Sequence, residues 1–227
     1  MTSPAENGEL GLSLANSIIA SPGTGQIPTR LQAQGTSVPV SDPQQVTVDS
    51  VIFGNIRITR TDSSVSTRLE SDESTVVTIE RIGPRTRKNV PIGTRDPKFL
   101  TARVNDLEIT VIPGSGRILK RSYRILVEIE DRIISFRPDS IDTCTFVNGK
   151  PHEIEKQYGD FTARPDGSVG VLWATPEMIP IVNTMSVPPE PTVEDTLIGY
   201  ALAGAFGTGA LSLTTIVMGM VAAVFPG

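Results

Sequence analysis

The chain has 227 residues, and its 20 Lys and Arg against 25 Asp and Glu give a net charge of −5. A single cysteine, Cys144, excludes a disulfide framework, and a single histidine, His152, leaves too few ligands for an ordinary zinc site. Twenty glycines and 18 prolines favour turns and short strands over long helices.

Residues 1–45 are rich in Ser, Thr, Pro, Gly, Gln and Asn, and they show neither helical nor alternating hydrophobic periodicity. Such a composition buries too little apolar surface to offset the entropy of ordering. We therefore predict a low-complexity, extended N-terminal arm.

Residues 46–186 are predicted to form a β-rich domain. Apolar residues alternate with polar ones along Leu107–Val111 and Tyr123–Ile129, the period of a half-buried strand. Further strands are predicted at 46–53, 55–60, 75–81, 99–104, 132–137, 140–147, 153–158 and 168–173. Many short strands separated by Asn, Asp, Gly and Pro turns indicate an antiparallel sandwich or barrel.

One hairpin of this domain can be predicted in register. If Glu130 and Asp131 form the turn, Val127 faces Ile134 and Ile125 faces Phe136. These pairs would lie on one buried face, and the predicted core consists of Ile109, Val111, Ile125, Val127, Ile134 and Phe136.

The C-terminal part divides into a proline-rich linker, 187–196, and a run without charge, 197–225. A helix needs about 20 apolar residues to cross a bilayer, so this run is predicted to be one transmembrane helix. Small residues recur every fourth position at Gly199, Ala203 and Gly207, a pattern typical of helix packing in membranes. The alternative is a buried hairpin of two short helices, broken near Gly204, Gly207 and Gly209.

No constellation in the sequence carries chemistry. With a two-residue turn at Asn148-Gly149, Cys144 and His152 would point to opposite faces of the sheet and could not form a dyad. The acidic group Glu70, Asp72 and Glu73 lacks the order of a calcium loop. We therefore predict no catalytic residue, no cofactor and no metal, and a protein that is not an enzyme.

One charge feature stands out, the basic loop between Gly83 and Lys98. Five of its side chains are predicted to contact an anionic surface: Arg85, Arg87, Lys88, Arg95 and Lys98. The loop has no aromatic residue for base stacking, so nucleic acid is not among the predicted partners.

These features together predict a non-enzymatic structural component of a large assembly, held in a membrane by one C-terminal anchor. The most concrete version is a minor virion protein that links a shell to a virion membrane. Its partners would be the lipid bilayer and other protein subunits, including further copies of itself. The alternative is a tail-anchored adaptor whose β-domain recruits one partner from solution.

Overall fold

The computed structural model describes residues 42–117, 119–179 and 184–210, so most of the predicted arm and residues 211–225 of the predicted span lie outside the described residues. The strands are β1 (Gln44–Asp49), β2 (Asn55–Arg60), β3 (Ser64–Leu69), β4 (Val76–Arg81), β5 (Leu100–Val104), β6 (Leu107–Pro113), β7 (Ile125–Ile129), β8 (Arg132–Pro138), β9 (Thr143–Val147), β10 (Gln157–Ala163), β11 (Val169–Trp173), β12 (Glu177–Ile179) and β13 (Thr184–Ser186). The described residues hold one α-helix, α1 (Val193–Phe206), and three short 3-10 turns, Pro97–Phe99, Lys120–Tyr123 and Ile154–Lys156.

Strands β1 to β11 form one antiparallel sheet in which each strand pairs with the next along the chain. The sheet curls until its first and last strands approach each other, where the Trp173 indole N–H donates to the Ser50 carbonyl at 2.7 Å. Among the described residues the two edge strands share no backbone ladder. The mainly β, antiparallel prediction is confirmed, and its form is a nearly closed, barrel-like sheet.

The predicted β7–β8 hairpin is confirmed in register. Ile125 pairs with Phe136 and Val127 with Ile134, and all four side chains are at most 1% exposed. Ile109 and Val111 are buried in the same core, as predicted. The turn works because Glu130 takes a φ of 49°, which lets two residues reverse the chain.

Helix α1 lies against the concave side of this sheet. Twelve of its 14 residues, from Asp195 to Phe206, are buried, and it contacts β2, β3, β4, β10 and β11. Two hydrogen bonds tie its backbone to the sheet side: the Thr67 hydroxyl donates to the Leu197 carbonyl at 2.9 Å, and the Ile92 N–H to the Ala205 carbonyl at 2.9 Å. Core residues thus surround the helix on every side.

The predicted transmembrane helix over 197–225 is wrong for the part that the structure describes. The helix ends at Phe206, because Gly207 takes a φ of 74° that favours glycine. Within the described ranges, no helix is both long and apolar enough to cross a membrane. A helix that is apolar on all sides is expected in a protein core as well as in lipid, and here the sheet provides that core.

The small-residue row of the predicted membrane helix serves a different contact. A Cβ on Gly199 would lie 2.6 Å from the Phe161 ring, so glycine lets the helix approach β10 closely. Ala203 is fully buried, and Gly207 stands beyond the last helical residue. Gly199 therefore packs on a strand rather than on a second membrane helix.

Candidate interaction surfaces

The Cys144 thiol is buried inside the sheet, where it accepts a hydrogen bond from the Gly209 N–H at 3.1 Å. Burial raises the pKa of this thiol to about 12, so it stays protonated at neutral pH and is a poor nucleophile. His152 lies exposed in the 148–156 loop. The predicted two-residue turn at Asn148-Gly149 is wrong, because Val147 pairs with Gln157 across a longer loop.

Arg95, which was predicted to contact an anionic surface, is instead buried at the end of helix α1. Its guanidinium donates to the carbonyls of Gly114 and Tyr123, both at 2.8 Å, and lies 5.5 Å from the centre of the Phe206 ring. Burial lowers its pKa to about 10. The surface prediction is therefore wrong for this residue, which holds loops together.

The other four basic residues of the loop lie nearer the surface. Arg85 and Lys98 have aspartate partners at 3.0 and 3.4 Å, and Arg87 donates to a carbonyl of the 114–117 segment at 2.9 Å. Lys88 is exposed and has no salt bridge in the described part of the chain. Contact of these four with an anionic surface stays a prediction.

The meander places alternate loops at the same end of the sheet, which defines two surfaces. We call the first the acidic end; it comprises residues 50–54, 70–75, 105–106, 130–131, 148–156, 174–179 and 184–192. We call the second the basic end; it comprises residues 42–43, 61–63, 82–99, 114–117, 119–124, 139–142, 164–168 and 207–210. Helix α1 begins at the acidic end and finishes at the basic end.

Charge is divided unequally between these two ends. The acidic end has ten carboxylates and two lysines, a net charge of −8: Glu70, Asp72, Glu73, Asp106, Glu130, Asp131, Glu153, Glu155, Glu177 and Glu190, with Lys150 and Lys156. The basic end has ten basic and six acidic residues, a net charge of +4: Arg85, Arg87, Lys88, Arg95, Lys98, Arg117, Lys120, Arg121, Arg124 and Arg164, with Asp42, Asp62, Asp96, Asp139, Asp142 and Asp166. A chain whose net charge is only −5 therefore presents two surfaces of opposite sign.

The acidic end also exposes apolar side chains. Of the eleven large hydrophobic residues that are exposed among the described ones, six belong to it: Val51, Ile52, Ile154, Met178, Met185 and Val187. Leu172, 74% exposed, adjoins it at the end of β11. The basic end exposes three: Ile82, Leu119 and Ile141. Both ends thus combine exposed apolar side chains with charge, and the acidic end has more exposed apolar side chains than the basic end.

Two grooves at the acidic end meet at Trp173, whose indole is anchored on Ser50. One has a volume of about 580 Å³, and its walls include Ile154, Leu172, Glu155 and Glu177. The other, of about 420 Å³, runs along Phe53 and the proline-rich stretch 187–191. Mixed walls of aromatic, aliphatic and carboxylate groups are suited to a protein segment that brings apolar and basic side chains.

Sequence reasoning missed this pair of surfaces, although a signal for them exists. Along the contiguous sequence only the basic loop between Gly83 and Lys98 stands out. In a meander the residues that share an end come from every second turn, and summing alternate turns separates the charges. The acidic residues are dispersed over six short segments, so no single stretch displays them.

Comparison with protein-family models, with curated proteins and with solved structures found no match for this chain.

Proposed function

We propose that this protein is a non-enzymatic structural subunit of a larger protein assembly, and that it docks onto a neighbouring subunit through its acidic end. The observation that carries the proposal is the gathering of exposed apolar side chains around the Trp173 grooves, with carboxylates at their margins. Exposed apolar area that is concentrated in one place, rather than scattered singly, is typical of interaction surfaces.

The interior of the sheet supports a structural role over the capture of a small ligand. Barrel-like sheets that bind ligands do so in their lumen, and here helix α1 occupies that space, with Leu197 and Tyr200 fully buried. In the described ranges, no three metal-ligating side chains come together, and the Cys144 thiol stays protonated. Binding is left to the outer surface.

A membrane anchor is not part of this proposed function. The prediction of a virion protein anchored in a membrane depended on the predicted transmembrane helix, whose described part is a helix in the core of the sheet. Membrane localisation and contact with a bilayer stay predictions that the described residues do not support.

The test uses the full chain, tagged and expressed in its own source cells. We expect it to sediment in complexes that contain several copies, and the double variant Leu172→Ser, Met178→Ser to shift to monomer mass. Both residues are exposed, 74% and 49%, so the variant should fold and melt like the parent. The matched control is Ile82→Ser, 64% exposed at the basic end.

Parent and double variant that both sediment as monomers would contradict the proposal. A complex of one copy with one partner, lost in the double variant, would instead identify the protein as an adaptor.

A further inference from the structure

We infer that copies of this chain associate end to end, with the basic end of one copy seated on the acidic end of the next. The inference rests on the proposed function and names its partner: the neighbouring subunit is a second copy. Because the two contacting surfaces differ, the contact is heterologous and its repetition builds a row of subunits rather than a closed two-fold dimer.

The first argument is charge complementarity. A net charge of −8 at one end and +4 at the other makes contact between unlike ends attractive and contact between like ends repulsive. One orientation of two copies is therefore favoured.

The second argument is that most of these charges have no salt-bridge partner among the described residues. At the basic end Arg117, Lys120, Arg121 and Arg124 are exposed, and none has a salt bridge among the described residues. The acidic end likewise has exposed carboxylates without a salt bridge in the described ranges: Asp72, Asp106, Glu130, Asp131, Glu155, Glu177 and Glu190. Internal pairing therefore does not explain why the charges are segregated.

The third argument is the chemistry of one segment at each end. At the basic end Leu119 is 54% exposed and is followed directly by Lys120 and Arg121. The larger groove of the acidic end offers apolar walls, including Leu172 and Trp173, beside Glu155 and Glu177. An apolar side chain flanked by cations matches an apolar groove flanked by carboxylates, the arrangement of an interface with an apolar centre and a charged rim.

The experiment uses purified full-length chain alone, so that no other protein can take part. Its mass is followed by sedimentation velocity over a range of concentrations, at low salt (about 50 mM) and at high salt (about 500 mM), where surface charges are screened within a few ångströms. We expect concentration-dependent association at low salt and its loss at high salt.

Two charge-reversed variants provide the sharper test. Glu155→Lys, Glu177→Lys makes the acidic end more basic, and Lys120→Glu, Arg121→Glu makes the basic end more acidic. Each variant alone should associate at least about tenfold more weakly than the parent, because its contacts now join like charges. An equimolar mixture should regain association, since each variant offers the surface that the other needs.

The matched control reverses one pair on the side of the sheet. Arg103 and Glu108 face each other across β5 and β6 and are both exposed, so Arg103→Glu, Glu108→Lys keeps the pair and its net charge. This control should associate like the parent, and all variants should melt within a few degrees of it.

A parent that stays monomeric at low salt, a mixture no stronger than its components, or a control that weakens as much as the end variants would each overturn the inference. If the purified parent is monomeric but its complexes in cells are still lost in the double variant Leu172→Ser, Met178→Ser, the proposed function stands and the partner is a different protein.

Discussion

The two ends of helix α1 are held in the sheet by opposite chemistry. At the N-terminus the buried Asp195 carboxylate binds Arg132 and accepts hydrogen bonds from the hydroxyls of Tyr158 and Thr192, both at 2.8 Å. At the C-terminus the Arg95 guanidinium binds loop carbonyls beside the last helical residue. A helix presents unpaired N–H groups and positive charge at its start, and unpaired carbonyls and negative charge at its end.

This difference shows that the helix dipole opposes the polarity of the two surfaces, since its positive N-terminus lies at the acidic end and its negative C-terminus at the basic end. The acid that caps the helix lies at the acidic end, and the base that stands at its terminus lies at the basic end. The N-terminal contact is an ion pair whose acidic partner is 1% exposed, whereas the C-terminal contact joins a charge to neutral carbonyls. We therefore expect the N-terminal contact to contribute more to stability.

The largest effect is predicted for Asp195→Ala. The change removes the capping box with Thr192, the acceptor of the Tyr158 hydroxyl and the buried partner of Arg132. We expect a loss of about 3 kcal/mol in the free energy of unfolding. This value is at the lower end of the losses found when a buried ion pair is broken, because Arg132 is 37% exposed and keeps access to water. Urea unfolding followed by circular dichroism measures it.

The matched control is Glu194→Ala, which removes the other carboxylate on the same guanidinium. Glu194 is 33% exposed, so its pair resembles a surface salt bridge and its loss should cost less than about 1 kcal/mol. Equal losses in the two variants would show that burial of Asp195 adds nothing.

A smaller effect is predicted for Arg95→Met, which keeps most of the side-chain volume but leaves the carbonyls of Gly114 and Tyr123 without their donor. Burial lowers the pKa of Arg95 to about 10, from an ordinary 12.5, so at neutral pH its charge opposes folding and offsets part of these hydrogen bonds. We expect a net loss of about 1 to 2 kcal/mol, measured in the same unfolding experiment. Lys98→Met, at an exposed side chain of the same end, is the control and should change stability by less than about 0.5 kcal/mol. A loss for Arg95→Met as large as that for Asp195→Ala would contradict the expectation that the N-terminal contact of the helix contributes more to stability.

Local patterns predicted the strands better than they predicted the surroundings of the helix. The β7–β8 register follows from one turn and a strict alternation, and it is confirmed. Strand β3 is missing from the predicted strands, because its inward face includes the polar Thr67, which is fully buried and donates to the Leu197 carbonyl of the helix. Strand β10 was predicted too early, at 153–158, because a register shift next to Gly159 interrupts its alternation.

The helix itself shows why the rest could not be predicted. A run without charge is compatible with lipid and with a protein core, and only the curvature of an eleven-stranded sheet provides the core. The segregation of charge likewise depends on which turns share an end, and hence on the topology. Arg95 has the same local sequence whether it is exposed or buried, so its place among carbonyls could not be inferred from a basic loop.

The smallest effect is predicted for Asp160→Asn in strand β10, beside the acidic end. Asp160 lies in the larger groove, and among the described residues one of its carboxylate oxygens is buried without a hydrogen-bond partner. Burial raises its pKa above the ordinary value of 3.8. The native state therefore holds the proton more tightly than the unfolded state does, so ionisation at neutral pH opposes folding. Below pH 3.8 both states are protonated and the penalty disappears.

The variant should consequently be more stable than the parent at pH 7, by less than about 1 kcal/mol because the group is only partly buried, and the difference should close as the pH falls below that value. Urea unfolding of both proteins at pH 7 and near pH 3.5 measures it. A variant that is less stable than the parent at pH 7 would show that the carboxylate is stabilised where it lies. A more stable variant means that this charge is retained at a cost to folding, which is expected of a surface whose charge serves a contact with another subunit.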